Sequence, residues 1–305
     1  MRRRLTPSYI FAKILVSNSK FFKYIPDKKY LSIVYKGYTG RHLNYSNPKS
    51  FNEKLQWLKL YDKNEEYTDL VDKFEVKKIV SEIIGDEYII PTLGIWNNFN
   101  EIDFNKLPSK FVLKCTHDSG GIIICRDKKT FDIKKARKII NRSLRNNFFY
   151  SGREFPYKNV KPRIIAEKYM EDYSQKSLVD YKFYCFDGIP KFLYVSQGLE
   201  DHSTARISFL NLDWSFAPFY RSDYNHFESL PKKPKNFDKM ISLAKKLSAN
   251  RIFVRVDLYE INNQVYFSEL TFTPGSGWMA FQDYQQDLEM GKLLHLNEED
   301  YVSIN

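Results

Sequence analysis

Hydrophobic and polar residues alternate in two adjacent stretches near the C-terminal end of the chain, and this pattern predicts a β-hairpin. The first strand covers residues 252–260 and the second covers residues 265–272. Asn262 and Asn263 lie between them, and asparagine readily adopts the positive φ that a two-residue hairpin turn requires. The pattern therefore predicts an antiparallel pair of strands.

The same alternation puts several polar and aromatic side chains on one face of this hairpin: Phe253, Arg255, Asp257, Tyr259, Phe267, Glu269 and Thr271. Asp257 and Glu269 can then lie side by side, with Arg255 and Thr271 next to them. An acidic pair among apolar neighbours is costly to bury without a partner. Mg²⁺ is a suitable partner because it binds carboxylate and phosphate oxygens together. The alternative is a buried arginine–aspartate pair beside an unrelated glutamate.

Periodicity elsewhere predicts further elements. Strands are expected at residues 88–91, 94–96, 111–115, 122–125, 163–167, 178–186, 190–195 and 206–212, and helices at 51–61, 69–84, 132–146 and 236–249. Residues 1–60 are expected to be helical in pieces, separated by Pro26, Gly37, Gly40 and Pro48. Thr68 and Gly85 are expected to cap the helix at 69–84, and Asp187-Gly188 to form a hairpin turn. Residues 151–162 are expected to form a loop, and the chain after Gly277 to run over the surface.

Composition indicates a soluble, globular protein of one large domain or of two or three subdomains. The 305 residues are 43% hydrophobic and 28% charged. Cys115, Cys125 and Cys185 are too few and too isolated for a disulfide framework, so buried thiols in a reducing cytoplasm are expected. No apolar run approaches the roughly 18 residues of a membrane span. Lys13 interrupts the short apolar patch near the start, so no signal peptide is expected.

Positive charge is concentrated in the N-terminal fifth of the chain. Residues 1–60 hold 13 of the 48 Lys and Arg residues but only 2 of the 37 Asp and Glu residues, so the net charge of +11 arises there. Tyrosine and phenylalanine residues are interleaved with the basic ones. Such a segment suits an anionic membrane surface, nucleic acid or an acidic polymer. The alternative is a solvated basic surface.

A lysine and a glycine loop lie between two of the predicted strands. Lys114 is near the end of the strand at 111–115, and residues 116–121, THDSGG, precede the strand at 122–125. Glycines permit close approach of a ligand to the backbone and lysine adds a point charge, so this arrangement can hold a phosphate. It is not a P-loop, because G-x-x-x-x-G-K-[ST] is absent and a strand follows the loop. An ordinary hairpin loop has the same pattern.

Five motifs, in this order, resemble the ATP-grasp superfamily of carboxylate–amine ligases and more closely its TupA-like branch. They are NPKSFNEKLQW, FVLKCTHDSGG, KPRIIAEKYMED, DYKFYCFDG and FVRVDLYEINNQVYFSELTFTPGSG, and they span roughly residues 47–277. The resemblance implies an α+β, ATP-grasp fold in which two α+β subdomains clasp ATP between antiparallel sheets. A basic, mainly helical N-terminal extension is expected in this chain. The expected segments are 1–60, 61–110, 111–170 with the glycine loop, and 171–305 with the metal site.

The resemblance also implies roles for the residues that match the family's motifs. Lys73, on the predicted helix, and Lys114 match the lysines that grip ATP phosphates, and Arg255 matches the arginine near the transferred phosphate, so Lys114 and Arg255 are the catalytic candidates. Other nucleotide-binding candidates are the loop residues Ser119, Gly120 and Gly121, the hinge residues Glu167, Lys168, Tyr169 and Met170, and Asp180 for the ribose. The metal candidates are Asp257, Glu269 and Thr271. Thr271 stands where many such enzymes have asparagine, so the number of Mg²⁺ ions, one or two, stays open. Weaker candidates for holding the acid substrate are His117, Arg153, Lys158 and Arg163.

The activity that this resemblance implies is ATP-dependent amide formation through an acyl phosphate, with ADP and phosphate released. The acid is expected to be a uronic acid of a cell-surface polysaccharide or its precursor, and the amine an amino acid or other small amine. One alternative is a glycosyltransferase, although the Asp-x-Asp motif common in metal-dependent ones is absent. Another is a membrane-associated scaffold without catalysis, which the joint presence of Lys114, Glu167, Asp257 and Glu269 disfavours.

The same resemblance implies a membrane-binding role for the basic N-terminal segment. Such glycans are assembled on lipid carriers at the cytoplasmic face of the membrane. Residues 1 to about 45 are therefore expected to dock a cytoplasmic enzyme peripherally on anionic bilayers. Arg2, Arg3, Arg4 and Lys13 are among the expected contacts, and no nucleic acid partner is expected.

Overall fold

The computed structural model describes residues 6–173, 177–198 and 204–296. Its helices are α1 (Pro7–Ser17), α2 (Asp27–Thr39), α3 (Phe51–Tyr61), α4 (Tyr67–Val71), α5 (Glu75–Ile84), α6 (Ile133–Leu144), α7 (Phe149–Gly152), α8 (Phe237–Ser248) and α9 (Tyr284–Lys292). Its strands are β1 (Thr92–Trp96), β2 (Phe111–Cys115), β3 (Ile122–Cys125), β4 (Ile164–Lys168), β5 (Val179–Phe186), β6 (Ile189–Gln197), β7 (Arg206–Asn211), β8 (Phe253–Ile261) and β9 (Gln264–Thr271). The fold is α+β, and it divides into a smaller unit, Asn64–Glu171, and a larger unit, Met1–Lys63 with Asp172–Asn305.

The smaller unit is built on a four-stranded antiparallel sheet in the order β1-β4-β2-β3. β2 alternates strictly, so Phe111, Leu113 and Cys115 point to one face and pack against Ala136 and Ile140 of α6. The opposite face of β2 and β4 carries Lys114 and Glu167. Strands from the predicted segments 61–110 and 111–170 thus belong to one sheet.

The helix predicted over residues 69–84 is wrong in its continuity. α4 and α5 are separated at Asp72, whose Oδ1 accepts hydrogen bonds from the backbone N–H groups of Phe74 (2.8 Å) and Glu75 (3.3 Å). A side chain that binds nearby N–H groups competes with helical hydrogen bonds, so the chain turns here. Thr68 lies inside α4, not before it, whereas Gly85 ends α5 as expected, with φ of 113°.

The strand predicted at residues 88–91 is also wrong, because β1 begins only at Thr92. The segment before it is a 3₁₀ turn, and Pro91 has no N–H to give to a sheet. The carbonyl oxygens of Ile90 and Pro91 accept from Lys77 Nζ (2.8 Å) and from the backbone N–H of Lys168 (3.0 Å). The prediction at 94–96 falls within β1.

The larger unit contains a five-stranded antiparallel sheet in the order β7-β6-β5-β8-β9. Both predicted hairpin turns are confirmed. Asp187 and Gly188 have φ of 49° and 72°, and Asn262 and Asn263 have φ of 52° and 64°. Two successive positive φ values are the geometry of the turn that matches strand twist.

One detail of the predicted β8–β9 face is wrong. Asp257 lies opposite Glu269, but Leu258 lies opposite Phe267, so Ser268 is an extra residue in β9. Such a bulge reverses the alternation. Phe267 therefore points to the side of Leu258, and Glu269 stays beside Asp257.

Helices cover both faces of the five-stranded sheet. On one face Phe183 of β5 stacks on Phe237 of α8, with ring centroids 6.0 Å apart. On the other, Phe51 of α3 packs against Phe253 of β8 at 5.2 Å. α3 has its predicted bounds because the Ser50 hydroxyl and the side chain of the third helical residue, Glu53, cap its start reciprocally.

The N-terminal segment forms helices α1 and α2. Gly37 was predicted to separate two helical pieces, and this prediction is wrong. Gly37 lies within α2, where an added Cβ would be 2.3 Å from Ala12 Cβ and 2.6 Å from the Ser8 carbonyl oxygen of α1. This glycine allows two helix backbones to approach closely. Gly40, with φ of 73°, ends α2 as expected.

The expectation that the chain after Gly277 runs over the surface is wrong for residues 278–296. Met290 and Leu294 are buried in the same core cluster as Phe51. Asp287 of α9 is also buried and accepts hydrogen bonds from the backbone N–H (2.9 Å) and Nδ2 (3.0 Å) of Asn52 in α3. An acidic sequence suggested exposure, but the polar partner on α3 makes burial possible.

Candidate functional site

The β8–β9 hairpin brings the predicted metal candidates together. In its register Asp257 pairs with Glu269 and Arg255 pairs with Thr271, as the sequence predicts. Asp257 is completely buried, while the Glu269 side chain is 45% exposed. One carboxylate is thus enclosed by protein and the other remains accessible from outside.

Arg255 lies at the centre of this group. Its Nε and Nη2 donate to the two oxygens of Asp257 at 2.7 and 2.6 Å. The same Nη2 is 3.0 Å from Glu269 Oε1 and 3.0 Å from Thr271 Oγ1. The paired contact with Asp257 fixes the guanidinium plane, so Asp257, Glu269 and Thr271 are held around one nitrogen atom of Arg255.

β5 adds a lysine that the sequence analysis did not single out. Lys182 lies opposite Asp257 in the β5–β8 register, and its Nζ donates to Asp257 Oδ2 at 2.7 Å and to Asp180 Oδ1 at 3.2 Å. Asp180, the candidate for the ribose, is also 3.5 Å from Ser196 Oγ. The signal was present in the pattern, because Asp180 and Lys182 alternate onto one face of an otherwise apolar strand.

Five charged side chains form a single electrostatic group with three negative and two positive charges: Asp180, Asp257, Glu269, Lys182 and Arg255. Burial opposes the charged form of Lys182, but Asp180 and Asp257 outweigh it and raise the pKa of Lys182 well above its usual range. Complete burial raises the pKa of Asp257, against the lowering effect of Arg255 and Lys182. The summed charge of −1 suits a cation as a further partner.

The donor set fits Mg²⁺, which prefers oxygen ligands and accepts one or two carboxylates from a protein. Asp257 and Glu269 provide the carboxylates and Thr271 adds a hydroxyl in contact with Glu269 Oε1 at 3.2 Å. Across residues 6–173, 177–198 and 204–296 no group of three or more His, Cys, Asp or Glu side chains is arranged for a metal. Asp257 and Glu269 would be the carboxylate ligands, with the Thr271 hydroxyl beside them.

The turn that follows β9 is fixed by polar side chains of α3. Gln56 Nε2 donates to the carbonyl oxygen of Gly277 at 2.7 Å, and Lys59 Nζ donates to that of Ser276 at 2.6 Å. Asn52 Nδ2 donates to the carbonyl oxygen of Met279 at 3.1 Å. The sequence analysis did not identify these positioning residues, although buried polar residues at helical spacing on one face of α3 were the available signal.

In the smaller unit, Glu167 is the centre of a second charged group. Its Oε2 is 2.5 Å from Lys114 Nζ, and its Oε1 contacts Lys77 Nζ. Burial works to raise the pKa of Glu167, but Lys114 and Lys77 outweigh it and hold that pKa below its usual value. These three side chains sum to +1.

Lys77 is a site residue that the sequence analysis missed. It lies in the apolar stripe of α5, and its Nζ also donates to Thr92 Oγ1 of β1 at 3.0 Å. Burial lowers the pKa of Lys77, against the raising effect of Glu167. A lysine on the inward face of an amphipathic helix was the available signal.

Lys73 lies in the turn between α4 and α5, and not on a helix as predicted. Its Nζ donates to the carbonyl oxygen of Asp118, in the loop that contains the predicted glycines. Its backbone N–H also donates to the carbonyl oxygen of Thr116 at 3.1 Å. Lys73 is therefore joined to the glycine loop, whereas Lys114 is joined to Glu167.

The two loop glycines have different surroundings. An added Cβ at Gly121 would be 2.5 Å from Ser143 Oγ and 2.8 Å from Cys115 Sγ, so packing alone requires glycine there. At Gly120 an added Cβ would meet nothing within 4 Å. Ser119 and Gly120 are exposed, which leaves this end of the loop accessible to a ligand.

The predicted hinge residues follow Glu167 directly. Lys168 is the last residue of β4 and its side chain is exposed. Its backbone N–H donates to the carbonyl oxygen of Pro91. Tyr169 and Met170 are half-buried. Their role beside an adenine ring stays a prediction.

Two of the weaker substrate candidates contact protein groups of their own unit. His117 is buried, with Nε2 3.2 and 3.0 Å from two carbonyl oxygens at the C-terminal end of α6. Arg163 Nη2 is 2.8 Å from Asp72 Oδ2 and 2.8 Å from Glu75 Oε1, which holds the turn between α4 and α5. Any contact of these residues with a substrate stays a prediction.

The other two weaker candidates lie near α7. Arg153 is buried, has φ of 54°, and donates from Nη1 to the carbonyl oxygen of Tyr150 at 3.2 Å. Lys158 is exposed, with Nζ 5.7 Å from the ring centroid of Phe149. Of the two, Lys158 is the accessible one.

Comparison with protein families gives a match to the TupA-like ATPgrasp model over residues 53–295. The chain belongs to the TupA-like ATPgrasp family. Most of the chain lies within this match, and the family assignment confirms the fold expected from the five motifs. Both charged groups of the TupA-like ATPgrasp chain lie inside the matched residues. Among curated proteins, none matches it.

Solved structures similar to this TupA-like ATPgrasp chain have low sequence identity to it. D-alanine–D-alanine ligase from Bacillus anthracis is 16% identical, with 84% of this chain and 71% of that chain covered and a TM-score of 0.40. VanG D-Ala:D-Ser ligase from Enterococcus faecalis is 12% identical, with coverage of 83% and 63% and a TM-score of 0.43. N5-carboxyaminoimidazole synthetase from Staphylococcus aureus is 13% identical, with coverage of 67% and 44% and a TM-score of 0.39. This chain thus spans less than half of the length of the synthetase.

Among the described helices, none is both long enough and apolar enough to cross a membrane.

Proposed function

We propose that this protein is an ATP-dependent, ADP-forming carboxylate–amine ligase. The observation that carries the proposal is the register of the β8–β9 hairpin, which gathers Asp257, Glu269 and Thr271 around Nη2 of Arg255 in a chain of the TupA-like ATPgrasp family. A carboxylate pair with an arginine suits the binding of Mg²⁺ and phosphate oxygens.

The proposed reaction has two steps. An oxygen of the acid substrate attacks the γ-phosphorus of ATP, the bond from that phosphorus to the bridging oxygen breaks, and ADP leaves. The amine nitrogen then attacks the carbonyl carbon of the acyl phosphate, inorganic phosphate leaves, and the amine releases a proton to solvent. Neither step needs a nucleophile from the protein, so catalysis rests on positioning and on neutralising charge.

In this proposal the two charged groups have separate tasks. Lys114 and Lys77 present a net positive charge to phosphate oxygens while Glu167 holds their ammonium groups in place. Asp257 and Glu269 would hold Mg²⁺, which when bound supplies charge neutralisation to the phosphates. Arg255 and Lys182 orient Asp257 through three hydrogen bonds.

We propose further that the acid is a uronic acid of a cell-surface polysaccharide or its precursor, and that the amine is an amino acid. The support for this finer proposal is the likeness of the five motifs to the TupA-like branch, which is named for teichuronopeptide synthesis. In the smaller unit, the exposed lysine Lys158 is the accessible candidate for contact with a carboxylate.

A screen for phosphate release tests the proposal. Uronic acids are paired with amino acids in the presence of Mg²⁺-ATP, and ADP and the amide product are measured together. We expect phosphate release that requires both substrates, that is lost in Asp257→Asn, and that persists in Glu228→Gln, a matched change at an exposed acid. Turnover of a UDP-sugar without ATP would instead identify a glycosyltransferase, and the lack of any ATP binding would identify a scaffold.

A further inference from the structure

The helix α1 has buried apolar side chains on one side and exposed apolar side chains on an adjoining side. Ala12 and Leu15 are buried, and an added Cβ at Gly37 of α2 would be 2.3 Å from Ala12 Cβ, so this side faces α2. On the other side Ile10, Phe11 and Ile14 are 46%, 51% and 48% exposed. Their spacing of three and four residues places these three on one face of the helix. A helix that needed one apolar face for folding therefore carries a second, unburied one.

The exposed apolar set continues after α1. Phe21 and Tyr24 are 70% and 85% exposed, which is unusual for large aromatic side chains. Lys20 Nζ lies 5.0 Å from the ring centroid of Phe21, and Lys23 Nζ lies 4.9 Å from that of Tyr24. We define the N-terminal patch by its apolar and basic residues: Ile10, Phe11, Lys13, Ile14, Lys20, Phe21, Lys23 and Tyr24.

Charge decides what kind of partner fits the N-terminal patch. Asp27 is the first acidic residue of the chain, and the second is Glu53, whose side chain is buried in the cap of α3. A surface with lysines around protruding aliphatic and aromatic side chains matches the interface of an anionic bilayer, where lysines meet headgroups and apolar side chains enter the acyl boundary. Nucleic acid offers phosphates but no apolar phase for Ile10 and Ile14.

We propose that the N-terminal patch is a peripheral docking surface for anionic lipid bilayers, with Ile10, Phe11 and Ile14 as the inserting residues. A second copy of the chain is a poor occupant because both copies would bring the same net positive charge to the contact. Arg2, Arg3 and Arg4, expected from the sequence to contribute, lie outside the described residues. The proposal does not depend on the proposed enzymatic activity.

Vesicle sedimentation of the full chain tests the proposal. We expect binding to vesicles of phosphatidylcholine mixed with phosphatidylglycerol and little binding to phosphatidylcholine alone. Binding should weaken as the salt concentration rises, because salt screens exposed charges. Replacing Lys13, Lys20 and Lys23 by serine should weaken binding roughly 100-fold at low salt, since each basic residue near such a surface contributes about fivefold. Replacing Ile10, Phe11 and Ile14 by serine should weaken it at least about tenfold.

Matched variants control for general effects of charge and hydrophobicity. Serine at Lys134, Lys135 and Lys138 removes three exposed lysines from α6, and serine at Ile83, Ile133 and Ile189 removes three isoleucines that are 39%, 41% and 47% exposed. Both control proteins should bind vesicles like the wild type. Because all of these positions are exposed, thermal unfolding should be nearly unchanged in every variant.

Tryptophan fluorescence gives a second, independent measurement. Phe11→Trp should show a blue-shifted emission on addition of anionic vesicles, and Ile133→Trp should not. Equal binding to neutral and anionic vesicles, or no binding at low salt, would overturn the proposal. A lipid-free dimer that dissociates when Ile10, Phe11 and Ile14 become serine would instead assign the N-terminal patch to a second copy.

Discussion

Both sheets of this protein carry ionised side chains on one face, but the two groups have opposite summed charge. In the smaller unit Lys77 and Lys114 contact one carboxylate, Glu167, and the group sums to +1. In the larger unit the cations Arg255 and Lys182 are shared by three carboxylates, and the group sums to −1. Within each group, short ion-pair contacts link side chains of different elements, a helix and two strands in the smaller unit and three strands in the larger.

The difference indicates what each group is suited to bind. Burying a charge is costly unless it is paired, so a group with an excess of one sign is completed by a ligand of the other sign. The group at Glu167, called the basic group below, suits phosphate oxygens, and the group at Asp257, called the acidic group, suits a divalent cation. Burial works to raise the pKa of Glu167, but the two lysines outweigh it and lower that pKa.

The largest expected effect is that of Asp257→Asn, which removes the buried carboxylate from the acidic group. ADP formation should fall by about 10³-fold or more, because charge neutralisation at the transferred phosphate is usually the largest catalytic term. Coupled-enzyme detection of ADP measures it. Breaking a buried ion pair can unfold a protein, so circular dichroism must first show that Asp257→Asn is folded. Glu228→Gln serves as the control. A folded Asp257→Asn protein with wild-type turnover would refute the assignment.

Glu167→Gln should raise the summed charge of the basic group from +1 to +2 and reveal how much the ion pairs contribute to stability. The folded pKa of Glu167 is depressed, so its contribution to stability is present above the unfolded value near 4.5 and is lost as pH falls through the folded pKa. At neutral pH the variant should be less stable by about 1–3 kcal/mol. Urea unfolding at several pH values measures this difference, which should shrink steadily below about pH 4.5. A difference independent of pH would contradict the ion pairs.

Lys114→Met should weaken ATP binding about 10- to 150-fold, since a charge-assisted contact contributes on the order of 1.5–3 kcal/mol. Calorimetry measures the affinity, and Lys129→Met, at an exposed lysine of the same unit, is the control. Unchanged affinity in Lys114→Met would leave this residue with a structural role toward Glu167.

Lys77→Met tests the residue that the sequence analysis missed. It should weaken ATP binding about tenfold, less than Lys114→Met, because Lys77 is more enclosed and also donates to Ile90 and Thr92. Its neighbour Lys78 is exposed, so Lys78→Met is a matched control one residue away. Equal affinities in the two variants would remove Lys77 from the site.

The hairpin part of the acidic group was predictable from sequence because Arg255, Asp257 and Glu269 lie close together in the chain. Period-two alternation and an Asn-Asn turn fix the register of one hairpin, and the register places Asp257 opposite Glu269. The bulge at Ser268 was not predictable, because an extra residue in a strand leaves no mark in a short alternating pattern. Lys182 comes from another strand, and only the β5–β8 pairing brings it to Asp257.

The basic group was less predictable because it joins α5, β2 and β4, which are distant in sequence. Lys73 and Lys77 are one helical turn apart in the sequence pattern, and Asp72 breaks the helix between α4 and α5. That turn sends Lys73 to the glycine loop and leaves Lys77 facing Glu167. The break between α4 and α5 is stabilised by the contact of Asp72 with Arg163, and local helix propensity cannot predict a contact between residues so far apart in sequence.

The central claim is that one group binds phosphate and the other binds the metal. The direct test is the affinity for ATP as a function of Mg²⁺ concentration, measured by calorimetry for the wild type, Lys114→Met and Glu269→Gln. Glu269 is suitable because its side chain is 45% exposed, so the change should leave the fold intact.

We expect Lys114→Met to weaken ATP binding with and without Mg²⁺. Glu269→Gln should bind ATP like the wild type in the absence of Mg²⁺ and should lose most of the gain in affinity that Mg²⁺ produces in the wild type. The account is contradicted if Glu269→Gln and the wild type respond identically to Mg²⁺.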